Sequence, residues 1–139
     1  MTQEEKKLLL VDLCGRLPYG VKCHIDTGDA DVYVDTLATI TIDGCACFLE
    51  TIDTEDVLEY GNIKPLLFPM SSMTDVIKDE IYQETGLYDI FEDKQIHIEV
   101  GTNFADVCKL FNILNKYHLD YNGLIPMNLA IDATGLNVY

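Results

Sequence analysis

The segment HIDTGDADVYVD holds the densest group of metal-ligand residue types in the sequence, with His24, Asp26, Asp29 and Asp31 close together. Clustered carboxylates supply the oxygen ligands that bind a divalent cation. An EF-hand loop would need another oxygen ligand two residues after Asp31, where Tyr33 stands, and then a glycine, which does not follow. The segment is therefore not an EF-hand. We favour a solvated turn, and a divalent-cation site is the alternative.

Thiolate and imidazole ligands give a weaker case for a metal. The cysteines are odd in number and form no CxxC motif: Cys14, Cys23, Cys45, Cys47 and Cys108. The histidines are scattered, without an HxH or HExxH pair: His24, His97 and His118. Cys45 and Cys47 share one face of a predicted strand, and they would offer zinc two thiolates, with Cys23 as a third if its strand is adjacent. We favour reduced, inert thiols in an apolar core, and we expect neither a metal nor a cofactor.

Nucleophilic catalysis has no recognisable signature in the sequence. Ser71 and Ser72 do not stand in a GxSxG elbow, and helix capping already explains a serine at that place. The glycines are dispersed, so no glycine-rich phosphate loop is present. No catalytic residue is identified, and a non-enzymatic protein is favoured.

Tyrosine is abundant, with 8 residues, and tryptophan is absent. Exposed tyrosines beside acidic residues are typical of protein–protein surfaces, although tyrosines that straddle the core boundary are the more ordinary explanation. The residues predicted for an interaction surface are Arg16, Tyr19 and the loop Tyr121, Asn122 and Gly123.

The formal net charge is −15, from 24 acidic and 9 basic residues. Such a balance repels phosphate backbones and anionic lipid headgroups, so binding to nucleic acid or to a membrane surface is disfavoured. Acidity of this degree usually serves solubility, and a basic protein partner is the functional alternative. The length of 139 residues fits a single globular domain, Met1–Tyr139.

The N-terminal stretch MTQEEKKLLLVDL does not resemble a signal peptide, because glutamates precede its lysines and its apolar run is short and broken by Asp12. No segment approaches the roughly 20 apolar residues of a membrane-spanning helix. These features, together with the unpaired cysteines, predict a cytoplasmic protein.

The first element is predicted to be a helix over Gln3–Cys14. Thr2 and Glu5 have the spacing of a capping box, Gly15 is placed to end the helix, and Pro18 prevents its resumption.

Two strands are predicted next. Residues 21–26 alternate in hydropathy, which indicates a half-buried strand with Cys23 inside and His24 outside. Asp31–Asp35 is predicted as a second, short strand.

A β-hairpin is predicted where TLATITI and CACFLET flank Asp43-Gly44, a favoured pair for a two-residue type I′ turn. Such a loop predicts the register, and with it three pairs on one face: Ile42 with Cys45, Ile40 with Cys47, and Ala38 with Leu49.

The middle of the chain begins with Asp53–Glu59, which we predict as one short helical turn. Pro65 excludes Ile63–Phe68 from the centre of a sheet, so this run is predicted as an edge strand or extended segment. Such an edge is able to pair two copies of the chain, and the oligomeric state is open. Ser71 or Ser72 is predicted to cap a helix that ends at Gly86.

The last third is predicted to contain a strand over Gln95–Val100 and a helix from Thr102 or Asn103 to about Tyr117. The apolar residues predicted to face the core are Ile96, Ile98 and Val100 in the strand, and Phe104, Val107, Cys108, Phe111 and Leu114 in the helix. The apolar tail after HLDYNG is expected to lie across the domain as an extended segment or short strand.

These elements predict an α+β fold. A mainly antiparallel sheet with an Asp-Gly hairpin would be packed by N-terminal, central and C-terminal helices.

Three blocks of sequence carry a family resemblance: LLLVDLCGRLPYGVKCHI, PMSSMT with the acidic helix after it, and HLDYNGLIPMNLAIDATGLNVY. They resemble a family of small uncharacterised proteins of gut Bacteroidetes and their bacteriophages or prophages. The similarity covers nearly the whole chain and is weakest over Asp26–Asp35 and Asp53–Glu59. It implies a phage or mobile-element setting and expression in the bacterial host cytoplasm. It implies no activity, cofactor or catalytic residue.

Three functions are consistent with these observations. The first is a non-enzymatic phage- or prophage-associated accessory protein that acts through protein–protein interaction, with an acidic DNA-mimic inhibitor as a sharper version. The second is an enzyme or ligand binder that uses the Asp26–Asp35 loop with a divalent cation. The third is a virion or assembly component.

Overall fold

The computed structural model describes residues 1–26, 28, 32–41, 45–49, 63–92 and 95–139. In chain order, the helices and strands are α1 (Gln3–Arg16), β1 (Lys22–Asp26), β2 (Val32–Ile40), β3 (Ala46–Phe48), β4 (Ile63–Leu67), α2 (Asp75–Thr85), β5 (Phe91–Glu92), β6 (Gln95–Ile96), α3 (Phe104–Lys116) and β7 (Ile131–Asp132). Single 3-10 turns follow α1 at Leu17–Tyr19 and precede α2 at Met70–Ser72.

The sheet described has 5 strands in the order β3-β2-β1-β4-β7. The first three pairings in that order are antiparallel, and only β4 with β7 is parallel. Three helices accompany it, so the predicted α+β class with a mainly antiparallel sheet is confirmed.

The capping box predicted for α1 is confirmed. The Thr2 hydroxyl accepts a hydrogen bond from the Glu5 amide at 3.1 Å, and the Glu5 carboxylate accepts one from the Thr2 amide at 2.7 Å. The helix continues past Gly15 to Arg16, and the left-handed residue that follows the 3-10 turn is Gly20, with φ of 67°. The predicted stop at Gly15 was wrong because a glycine can also occupy a helix interior, although at a cost.

The first apolar core lies between α1 and one face of the sheet. Leu9 and Leu13 of α1 are fully buried against Cys23 and Ile25 of β1, which confirms the inward face predicted for that strand. Burial raises the pKa of the Cys23 thiol, and the nearby carboxylates of Asp12 and Asp35 raise it further, so this thiol stays protonated and inert.

Strands β2 and β3 pair antiparallel, but with a register that differs from the prediction. Ile40 lies opposite Ala46 and Thr39 opposite Cys47, and the register shifts between Leu37 and Thr39. A one-residue change in pairing moves side chains to the other face of a sheet. Consequently Ala46 is buried and Cys47 exposed, the reverse of what was predicted.

Parts of the predicted hairpin lie outside the described residues. These are Ile42 and the turn residues Asp43 and Gly44. The helical turn predicted over Asp53–Glu59 also lies outside them.

Strand β4 is an interior strand, so the edge position predicted for Ile63–Phe68 is wrong. Pro65 lies opposite Cys23 of β1, while β7 pairs on the other side with Leu66 and Leu67 only. Pro65 therefore lies before the residues that pair with β7, so its lack of an N–H removes no hydrogen bond to that strand. Pairing of two copies through this strand would require β7 to leave.

Helices α2 and α3 pack on each other and form a second apolar core with Ile77, Ile81, Leu110 and Leu114. The cap of α2 is Thr74, whose hydroxyl accepts from the Ile77 amide at 3.3 Å. Ser71 and Ser72, predicted as caps, instead lie in the preceding 3-10 turn. The predicted stop at Gly86 is confirmed by its φ of 72°.

The buried stripe of α3 is rotated from the predicted one. Asn103 caps the helix, as predicted, through its side-chain oxygen and the Ala105 amide at 2.9 Å. Leu110, Ile113 and Leu114 are buried, whereas Phe104 and Cys108 are exposed. The residues of α3 that join the second core lie in its later turns, and Phe104 in the first turn is not among them.

The strand predicted over Gln95–Val100 is short. β6 comprises only Gln95–Ile96 and pairs with β5 in a separate two-stranded ribbon. Ile98 and Val100, predicted to face the core, are exposed.

The apolar tail lies across the domain and contributes β7, as predicted. The Tyr139 hydroxyl bridges two strands of the sheet: it accepts from the Lys22 amide at 2.8 Å and donates to the Leu66 carbonyl at 2.8 Å. Its ring stacks on His118 with the ring centres 3.7 Å apart.

Substituting Tyr139 with phenylalanine is expected to lower the free energy of unfolding by about 1–2 kcal/mol, because it leaves an amide and a carbonyl without their hydroxyl partner. Urea denaturation monitored by circular dichroism measures this change. A Y139F protein as stable as the wild type would show that the hydroxyl bridge contributes nothing.

None of the helices in the described part of the chain combines the length and the apolar character that a membrane crossing requires.

Candidate functional site

The residues predicted for a cation site are placed only in part. His24 lies in β1 between Val34 of β2 and Lys64 of β4, so a cationic neighbour stands directly beside it. Asp26 ends β1, is exposed, and accepts a hydrogen bond from the Gly28 amide at 2.9 Å. Asp29 and Asp31 lie outside the described residues, and the cation site stays a prediction.

The thiolate set considered for zinc is not assembled. β1 and β3 are separated by β2, and Cys23 points into the core while Cys47 is exposed. Within the described ranges, no three side chains of histidine, cysteine, aspartate or glutamate converge on a common point. Cys14 is exposed as well, although it was predicted to be a core residue.

Of the predicted interaction surface, Arg16 is fully buried and therefore presents no side chain to a partner. Its guanidinium binds both oxygens of Asp12, with Nε–Oδ2 at 2.6 Å and Nη2–Oδ1 at 2.9 Å. Asn122 donates to the same carboxylate at 2.8 Å. Tyr121 lies below the guanidinium, which is 5.0 Å from its ring centre.

Sequence reasoning thus identified residues that do lie together, but as an interior cluster. We call Asp12, Arg16, Asn115, Tyr121 and Asn122 the polar seam. The Tyr121 hydroxyl donates to the Asn115 side chain at 2.9 Å. The seam also joins the two cores, because Arg16 donates to the carbonyl of Leu119, a residue of the second core, at 2.9 Å. Its charges are compensated internally, which indicates a structural role.

The remaining residues of the predicted surface lie near the seam. Tyr19 belongs to the 3-10 turn after α1 and is half-buried. Gly123 has a φ of 72°, which a side chain rarely adopts, and it closes the turn after Asn122.

His118 is buried beside the seam and meets no hydrogen-bond partner at Nδ1 among the described residues. Burial, and to a smaller extent the charge of Arg16, lower the pKa of its imidazole to about 4. The side chain is therefore neutral near pH 7, but with a pKa this low it is a weak base, whereas a general base works best with a pKa near the working pH.

The most prominent exposed feature is a pair of tyrosines at the end of α2. Tyr82 is 51% exposed and Tyr88 73% exposed, and the two rings meet edge to face with centres 6.3 Å apart. We call these two residues, with the flanking Asp79 and Asp89, the tyrosine corner. Exposed tyrosines that lie together in this way are typical of interaction surfaces.

Three features of the fold position the two rings of the tyrosine corner. Ile81 points into the second core, which turns the adjacent Tyr82 outward from α2. The left-handed Gly86 ends the helix and reverses the chain. Leu87 is half-buried against the same core, so Tyr88 beside it projects into solvent.

Two grooves meet at the corner. The first, of about 250 Å³, runs between α2 and β5, and its lining includes Lys78, Asp79, Tyr82, Tyr88 and Phe91. The second, of about 530 Å³, lies on the other side of the same segment and includes His97 and Glu99. Tyr88 and Asp89 line both grooves, whereas Tyr82 and Asp79 line only the first.

The electrostatic character of this region is acidic. Helix α2 carries four carboxylates against the single cation of Lys78: Asp75, Asp79, Glu80 and Glu84. Glu80 is already engaged by Lys116 at 2.7 Å and by the Tyr117 hydroxyl, and these hydrogen bonds lower its pKa. The carboxylates at the corner itself, Asp79 and Asp89, make no ion pair with a described residue.

Tyrosines beside acidic residues were expected at a protein–protein surface, but the tyrosines predicted there were Tyr19 and Tyr121. Tyr82 lies three residues after Asp79, and Tyr88 lies one residue before Asp89, with the predicted helix stop at Gly86 between the two tyrosines. This arrangement was the available sequence signal for the tyrosine corner. The edge-to-face contact of the rings depends on the chain reversal, which the sequence pattern does not show.

Comparison with protein-family models, with curated proteins and with solved structures gives no significant match to this chain.

Proposed function

We propose that the protein is a non-enzymatic accessory protein that binds a basic segment of a partner protein at the tyrosine corner. The observation that carries the proposal is the exposed Tyr82–Tyr88 pair, which lines the first groove together with the carboxylates of Asp79 and Asp89. A phage or prophage setting, which the sequence resemblance implies, suits such an accessory role.

The chemistry of the corner supports a cationic ligand. Tyrosine faces attract guanidinium and ammonium groups, and the effect grows when the cation is shielded from water, as in a groove. Asp79 and Asp89 would add charge-assisted hydrogen bonds to the same groups. Tyrosine and arginine are also the residue types most often found at the centres of protein interfaces.

The overall charge supports a basic partner over a second copy of the chain. At a net charge of −15, two copies repel each other, whereas a basic segment is attracted from a distance. A DNA-mimic inhibitor would belong to this class, because nucleic-acid-binding proteins present basic surfaces.

Truncation of both tyrosines, Y82A/Y88A, is expected to weaken binding of an arginine-rich peptide about tenfold or more, since central aromatic residues carry much of the affinity at interfaces. Isothermal titration calorimetry at low and high salt measures the loss. We expect the wild-type affinity to fall as salt rises, because the attraction is between opposite charges.

The matched control is V76A, which removes an apolar side chain that is 70% exposed on the same helix but lines neither groove. It is expected to leave the affinity unchanged. Equal binding by wild type and Y82A/Y88A would exclude the tyrosine corner as the binding site.

A further inference from the structure

The lining of the first groove includes residues of β5, a strand that has one unpaired edge among the described residues. β5 and β6 form a ribbon outside the main sheet, in which Phe91 lies opposite Ile96 and Glu92 opposite Gln95. Within a two-stranded ribbon each strand has one neighbour, so its other edge is open to a further strand.

The hydrogen-bond pattern shows which groups point outward. The His97 amide donates to the Ile90 carbonyl at 2.7 Å, so Ile90 and His97 form a hydrogen-bonded position of the ladder. Bonded and non-bonded pairs alternate in antiparallel structure, which makes Phe91 and Ile96 the non-bonded pair. The N–H and C=O of Phe91 therefore point away from β6.

Phe91 is also one of the residues that line the first groove. Phe91 and Ile90 line that groove together with Tyr82 of α2 on the opposite wall. No described residue outside the ribbon makes a backbone hydrogen bond with Phe91. An extended chain laid in the groove would thus meet a donor and an acceptor on one side and the tyrosine corner on the other.

We propose that the partner segment binds as an additional strand on the outer edge of β5, with basic side chains directed at the tyrosine corner. This inference rests on the proposed function and specifies the conformation of the partner. Main-chain hydrogen bonds to the edge would supply sequence-independent affinity, and alternate side chains would supply selectivity. Charge complementarity favours a basic segment over an acidic one or a second copy of this chain.

The experiment is amide hydrogen exchange, followed by NMR, with an octapeptide of alternating arginine and valine as the probe. At saturation the exchange rate of the Phe91 amide is expected to fall by at least about tenfold, because the amide becomes hydrogen-bonded to the added strand. The Ile96 amide is the matched control. It points out of the opposite edge of the ribbon and is expected to keep its exchange rate.

Each other outcome has a distinct meaning. Binding that depends on Tyr82 and Tyr88 without protection of Phe91 would overturn the added strand and leave the proposed function standing. Equal slowing at Phe91 and Ile96 would indicate general stabilisation and would also overturn it. Equal protection of Phe91 by a glutamate–valine octapeptide would overturn the basic partner. Absence of binding, or binding indifferent to Y82A/Y88A, would overturn both proposals.

Discussion

Replacement of Arg16 by methionine is expected to lower the free energy of unfolding by about 3–5 kcal/mol, because it leaves the buried Asp12 carboxylate without its cation. Both side chains of this pair are fully buried, so water cannot substitute for the guanidinium. The Leu119 carbonyl would lose its donor in the same substitution. Guanidinium chloride denaturation of wild type and R16M measures the difference.

Two further variants identify the cause of that loss. D12L/R16M removes the carboxylate as well, and it is expected to recover much of the lost stability because no buried charge remains uncompensated. K116M breaks the exposed ion pair with Glu80, and a much smaller change is expected since water solvates both groups. If R16M were no less stable than K116M, the buried pair would not hold the fold together.

Acidification is expected to destabilise the protein through His118 by about 3 kcal/mol, taking about 1.4 kcal/mol for each unit of pKa difference. The pKa of His118 is about 4 in the folded protein, below the ordinary value of 6.5 for an exposed histidine. The unfolded chain therefore binds the proton more readily. Stability is unaffected above about pH 6.5, falls as the pH drops from there toward 4, and loses nothing further through this group at lower pH.

Many carboxylates also titrate in that range, so the measurement is a difference between two proteins. H118N is a suitable variant because asparagine tolerates the positive φ of 56° at this position and does not titrate. Urea denaturation at intervals between pH 4 and 7 is expected to give a shallower decline for H118N than for the wild type. Parallel profiles would contradict the assignment of this effect to His118.

The elements that sequence patterns predicted well are those determined by neighbours along the chain. The capping box of Thr2 and Glu5, the alternation around Cys23 and the stop at Gly86 each depend on residues within one turn or strand. The same holds for the cap at Asn103. Local hydrogen bonding and side-chain periodicity decide such features, and the sequence displays both.

The features that sequence patterns missed are those decided by contacts between distant segments. Pro65 looked incompatible with an interior strand, yet β7 pairs only with the residues after it. The apolar stripe of α3 starts at Phe104 in the sequence, but α2 covers only the later turns. Ile40 pairs with Ala46, one residue away from the predicted partner Cys47, and no local residue type indicates this difference.

The candidate site was harder to predict than the fold. Asp12 and Arg16 have the i, i+4 spacing of an ion pair, but that spacing is usual on an exposed helix face and does not reveal burial. Exposed tyrosines were expected as a class, but which of them would remain uncovered depended on the chain reversal at Gly86. The open edge at Phe91 depends on which residue pairs of β5 and β6 are hydrogen-bonded, and the sequence pattern does not show this.

The separation of the two apolar cores has a consequence for how this protein can diversify. The tyrosine corner and both grooves are supported by residues of the second core, and that core shares no member with the one beneath the sheet. Substitutions far apart and without shared partners usually have additive effects on stability. Substitutions at the corner that leave the polar seam intact are therefore expected to change partner contacts with little effect on the stability of the sheet half.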